Sequence, residues 1–120
     1  MLLAFSVAPS GQPAHLAADS ADSAATAGTA SADASVHDAV AAAVKIVRDS
    51  GLPNRTDSMF TTIEGEWDEV FAVVKQATEA VGRFGSRVSL VIKADIRPGY
   101  SGELTGKVER LENAITNVPG

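Results

Sequence analysis

Residues 12–35 most constrain what this chain can fold into. In those 24 residues, from Gln12 to Ser35, ten are Ala, nine are Ser, Thr or Asp, and Leu16 is the one large apolar side chain. Such a stretch cannot bury enough apolar surface to offset the entropy of ordering it. It is expected to be a flexible, low-complexity insertion within one domain spanning 1–120. The core must therefore come from Met1–Gly11 and from the residues after Ser35. Six aromatic residues in 120 leave that core small and mainly Val, Leu and Ile. A domain so thin gains by burying more surface in an oligomer.

The formal net charge is −5. Removing Asp19, Asp22 and Asp33 of the insertion leaves ten bases against twelve acids, so the rest is nearly neutral. No basic stripe is present, which argues against a nucleic-acid partner. The chain has no cysteine, so disulfides, thiolate metal sites and a Cys nucleophile are excluded. His15 lies in the insertion and His37 stands alone, so neither a metal centre nor a cofactor is expected. The apolar run after Met1 has no basic residue before it and spans about seven residues, which favours a buried strand over a signal peptide. No run is long enough to cross a membrane. A cytoplasmic protein without a membrane partner is the expectation.

The pattern of the remaining residues gives elements in order. Leu2–Ala8 reads as a first strand, ended by Pro9-Ser10-Gly11. Val36–Ser50 reads as a helix with Val36, Val40, Val44 and Val47 on one face, stopped by Gly51 and Pro53. Arg55–Glu64 is extended, either as one strand or as a tight hairpin bent near Ser58–Phe60, and spacing does not decide between them. Glu66–Phe84 is a strong helix with an apolar stripe of Trp67, Val70, Phe71, Val74, Ala77 and Val81, which assigns Trp67 to the core. Arg87–Asp95 alternates, with Val88, Leu90, Ile92 and Ala94 opposite Ser89, Val91, Lys93 and Asp95. Glu103–Ile115 is a last helix. With the hairpin, the chain is an α+β, ferredoxin-like βαββαβ sandwich with an additional C-terminal helix. Right-handed crossovers then place both main helices on one sheet face and leave the other open. Without the hairpin, it is a small parallel α/β sheet with poor cover.

The segment "TTIEGE", Thr61–Glu66, is the main polar feature. On a strand, Thr62 and Glu64 share one face while Thr61 shares the other with Ile63. Thr suits strands, and an acidic residue ahead of a helix suits its positive end. The same hydroxyls and carboxylate would also suit a polar ligand. Asp95 and Arg97 share a face two residues apart, which fits a structural ion pair or a ligand contact.

Three stretches together, "AFSVAP", "GLPNRTDSMFTTIEGEWDEV" and "RVSLVIKADIRPG", resemble the small thiamine-binding protein family. Its members carry T-T-x-E-G-[ED] after a strand and K-x-D-x-R near the end of the last strand. The resemblance covers residues 1–11 and 36–115, and departs from the family mainly at the insertion. It implies the ferredoxin-like fold with the hairpin, and association of copies into a homodimer or homotetramer through their sheets. It also implies binding, without catalysis, of thiamine or a related hydroxymethylpyrimidine. Thr62 and Glu64 are then the leading ligand-binding pair, with Thr61, Ser6, Asp95 and Arg97 as further candidates. Lys93 would repel a thiazolium and is assigned to the subunit interface or to solvent. Phe60 and Tyr100 are placed for contact with an aromatic ligand. Two other readings stay open at this point. One is an interaction module whose oligomer surface is its function. The other is an enzyme using Glu64 and Asp95 as acid and base.

Overall fold

The computed structural model describes residues 1–12 and 31–119. Along the chain lie β1 (Leu2–Ser10), α1 (Ser31–Asp49), β2 (Asn54–Thr56), β3 (Thr61–Glu64), α2 (Trp67–Val81), β4 (Arg87–Asp95) and α3 (Glu103–Thr116). The described strands form one sheet in the order β2-β3-β1-β4, and every neighbouring pair is antiparallel. Here β3 is inserted between β1 and β2, and β1 between β3 and β4. This is the α+β, ferredoxin-like arrangement expected, with the extra C-terminal helix α3.

The hairpin is present. Asp57 N–H donates to Phe60 O at 2.9 Å, and the Asp57 carboxylate accepts from the N–H groups of Met59 and Phe60 at 2.8 and 2.9 Å. An Asp that hydrogen-bonds the backbone two and three residues ahead stabilises a tight reversal. That reversal turns the extended stretch into β2 and β3, paired from Asn54↔Ile63 to Thr56↔Thr61.

Pairing fixes the faces. Leu3 and Phe5 of β1 stand opposite Ile63 and Thr61 of β3, and these four side chains, with Val7, point into the helical layer. Helix α1 contributes Ala39, Ala43 and Val47 to the core, and α2 contributes Val70, Val73, Val74, Ala77 and Val81. The expected valine face of α1 is therefore corrected: Val47 is buried, but Val36 and Val40 are exposed. Alanines at i and i+4 (Ala39 and Ala43), with Val47 at i+8, let the helix approach the sheet closely, and the rest of the valine row falls beside that contact.

Other boundaries differ from expectation for local reasons. Helix α1 begins at Ser31, inside the low-complexity stretch, because Ala-rich sequence extends a helix readily. The rest of the expected insertion, from Pro13 to Ala30, lies outside the described residues. Strand β1 runs past Pro9 to Ser10, paired with β4 down to Ser10↔Arg87. Its pairing with β3 stops at Phe5, so among the described strands one edge is unoccupied beyond that point, where proline is tolerated. Gly11 then turns the chain with φ +75. Helix α2 ends at Val81 and closes in a 3₁₀ turn over Gly82–Phe84.

Strand β4 alternates as expected, yet Leu90 and Ile92 on its helical side remain exposed, because α1 and α2 pack mainly on β1. The core rule predicts that Ile63→Ala, at a fully buried position, costs about 2–5 kcal/mol. The exposed Val36→Ala should change stability by less than about 0.5 kcal/mol. Urea denaturation of the two variants checks both values.

Candidate functional site

The face of the sheet opposite α1 and α2 carries three cross-strand rows. The first is Asp95–Leu2–Glu64, the second Lys93–Ala4–Thr62–Arg55, and the third Val91–Ser6. Thr62 and Glu64 share this face, as the alternation of β3 requires. Ser6 and Asp95 join them on it. Thr61 lies on the opposite side, 6% exposed, with its Oγ1 3.1 Å from Thr56 Oγ1.

Glu64 is only 8% exposed although its face is open, because α3 begins above it. Its Oε2 accepts from Glu103 N–H at 2.8 Å and its Oε1 from Leu104 N–H at 3.3 Å. These are first-turn donors of a helix that have no partner within the helix itself, and a carboxylate complements the positive end of the macrodipole. Gly102, with φ +70, provides the left-handed backbone that aims those donors at the sheet. Glu64 is thus an anion at a helix N-terminus, but that helix starts 39 residues further on rather than immediately after it.

Asp95 is held in the same region. Lys107 Nζ donates to its Oδ2 at 2.6 Å, and that bond keeps the carboxyl below its ordinary value. Of the roles open to Asp95, the ion pair is made with Lys107 of α3 rather than with Arg97. Arg97 instead lies over the ring of Tyr100, 3.6 Å from its centroid. Arg110 donates to Glu103 Oε2 at 2.7 Å, which lowers the Glu103 carboxyl. Three contacts therefore tie or brace the start of α3, and two of the four open-face candidates serve in them.

Among the described residues, two hollows border the sheet. One, about 140 Å³, lies between the start of α2 and the turn after β4, lined by Gly65, Trp67, Ile96, Arg97 and Tyr100. Trp67 is 52% exposed and stacks on Phe71, with ring centroids 5.1 Å apart, so its assignment to the core is corrected. It sits in the first turn of α2, past the end of β3, where no described strand remains to cover it.

The other hollow, about 220 Å³, lies where β1 has run past the end of β3. Phe5 and Val7 form its floor, Val40 and Val44 of α1 one wall, and the hairpin from Thr56 to Thr61 the other. Ser6 borders it as well. Small Ala43 at the centre of the α1 contact leaves the space open. Two sequence candidates, Thr61 and Ser6, meet here with Phe60. Thr56 and Asp57 were not singled out in the sequence. The signal for Asp57 was an Asp two residues before Met59 at a strand reversal, which is turn chemistry. The Asp57 carboxyl is held below its ordinary value by the N–H groups of Phe60 and Met59.

The charges of the three places differ in sign. The open face presents Lys93 and Arg55 beside Thr62, while its two carboxylates are engaged by α3. The hollow at Trp67 has both Glu66 and Arg97. Among the described residues lining the hairpin hollow, Asp57 is the one ionisable side chain. Among the described residues no group of three or more His, Cys, Asp or Glu is placed to hold a metal. No described helix is long and apolar enough to cross a membrane.

The architecture defines a ferredoxin-like α+β protein with a helix clamped onto its otherwise open sheet face. The sequence profile of the family described as thiamine-binding protein matches residues 24–112, and the chain belongs to that family. A UPF0045 protein of Mycobacterium bovis is 53% identical over 81 residues, which cover 67% of this chain and 79% of that one. A domain of unknown function, DUF77, from Bacillus cereus superposes with a TM-score of 0.65 at 29% identity, over 91% of this chain and 86% of that one. A Thermotoga maritima protein, provisionally described as a thiamine biosynthesis/salvage protein, superposes with a TM-score of 0.62. It is 20% identical over 92% of this chain and 96% of that one, a likeness of fold.

Because Glu64 satisfies two backbone donors at once, Glu64→Ala should release the first turn of α3. Amide exchange at Glu103 and Leu104 is expected to quicken by about 1–3 kcal/mol of lost protection. Protection in β1 and α2 should stay nearly unchanged. Hydrogen exchange read by NMR checks this.

Proposed function

We propose that this protein binds thiamine or a related hydroxymethylpyrimidine compound without transforming it, in the cytoplasm, and that the ligand occupies the hairpin hollow. The single observation that carries this reading is the sign and setting of the groups there. The hollow offers the Asp57 carboxylate and the Thr56 and Thr61 hydroxyls between apolar walls. Thiamine joins an aminopyrimidine, which needs both hydrogen-bond donors and acceptors, to a permanently cationic ring that needs an anion or an aromatic face. The open face brings cationic side chains instead, and the Trp67 hollow sets Arg97 against Glu66, so neither presents a carboxylate alone. In this reading Thr61 and Ser6 border the ligand. Glu64 and Asp95 act on it indirectly by holding α3, Thr62 faces a neighbouring copy, and Arg97 packs on Tyr100. Membership of a family described as thiamine-binding supports the choice of ligand.

A ligand that binds only the folded chain raises its stability by about 2.7 kcal/mol at a hundredfold excess over Kd. Melting of the protein with excess thiamine should therefore rise by several degrees. Unchanged melting with thiamine, its phosphates and hydroxymethylpyrimidine would overturn the reading.

Self-association is a second reading, favoured by a specific observation. Val108, Leu111 and Ile115 form one row on α3, and all are exposed, as is Val91 on the open face. A row of this kind on one helix is usually covered by a partner. The partner proposed is a second copy, giving a homodimer or homotetramer. Light scattering of the wild type should return a multiple of 12.3 kDa, and Leu111→Lys should lower it. A monomer at every concentration would exclude this reading.

A further inference from the structure

We infer that Asp57 makes the hairpin hollow selective for a positively charged heteroaromatic ring, so that it takes cationic thiamine in preference to a neutral ring of the same shape. The inference rests on the binding reading above and adds the residue that sets ligand charge.

Three observations carry it. Asp57 is the one ionisable side chain among the described residues lining the hollow, so the local field has one sign. The carboxylate is also fixed before any ligand arrives. Both of its hydrogen bonds among the described residues, from Met59 N–H and Phe60 N–H, fall on Oδ1. Among the described residues that leaves Oδ2 without a hydrogen bond and available to a cation, on a side chain already held by the turn. Finally, the neighbouring surface repels the same cation. Arg55, two residues before Asp57, points to the other face of the sheet beside Thr62 and Lys93. A cation is therefore turned away from the open face and attracted at the hairpin.

A carboxylate also serves the turn, so the test must separate the two roles. Asp57→Asn keeps an Oδ1 that accepts the same two backbone bonds, and removes the charge alone. Titration calorimetry would compare thiamine with its neutral thiophene analogue, on the wild type and on Asp57→Asn. The wild type should bind thiamine about fivefold more tightly than the neutral analogue. Asp57→Asn should lose that preference and leave the analogue's affinity as it was. Equal affinity of the wild type for the two compounds overturns the role of Asp57 while leaving the binding reading in place. Weakening of both compounds alike by Asp57→Asn also overturns it. If neither compound binds the wild type, the binding reading fails and this inference with it. The wild-type comparison does not depend on the variant folding.

Discussion

Everything in this molecule depends on the side-to-side alternation of β3, locked in register against β1. Leu3↔Ile63 and Phe5↔Thr61 place one set of side chains in the core, and Leu2↔Glu64 and Ala4↔Thr62 place the other on the open face. A slip of one residue would bury Glu64 in the apolar layer and expose Ile63. Burial of an unpaired carboxylate is costly enough to exclude that alternative. With the register set, Glu64 meets the first turn of α3, and Thr61 meets Thr56 and the hairpin hollow. The two threonines of one motif thus belong to two different surfaces.

The consequence is that the two ends of the sheet differ in how their charges are used. At the Glu64 end, charges are matched: a carboxylate against helix donors, Asp95 against Lys107, and Glu103 against Arg110. Such matched groups hold an element in place and have little capacity left for a ligand. At the hairpin end β1 outruns β3, and the local chain supplies hydroxyls, a fixed carboxylate and apolar walls. Binding sites combine apolar lining with a few placed polar groups, and that end has this composition. The hairpin loop owes its shape to Asp57, so the residue that makes the turn also sets the charge of the space beside it.

Much of this was legible in the chain itself. The alternation of Arg87–Asp95 gave β4 its limits, and Thr62 and Glu64 were assigned to the same face from period two alone. The hairpin was not decided by spacing, since Arg55–Glu64 suits one strand as well as two; the bonds of Asp57 decide it. Valine periodicity misplaced the buried face of α1, because close packing there selects the small Ala39 and Ala43 over larger neighbours. Trp67 fitted the α2 stripe in projection, but a helical wheel does not show where the sheet ends. The partner of Glu64 lies 39 residues away, beyond the reach of any local pattern. Asp57 carried a local signal, yet turn chemistry in a sequence does not reveal that the turn walls a hollow.

The central claim, that a cationic ligand sits against the hairpin, is tested most directly by backbone amide shifts during a thiamine titration. The account predicts saturable shifts centred on Met59, Phe60 and Thr61 and on Val40 and Val44 across the hollow. Shifts centred on Trp67, Tyr100 and the start of α3, with the hairpin silent, would contradict it.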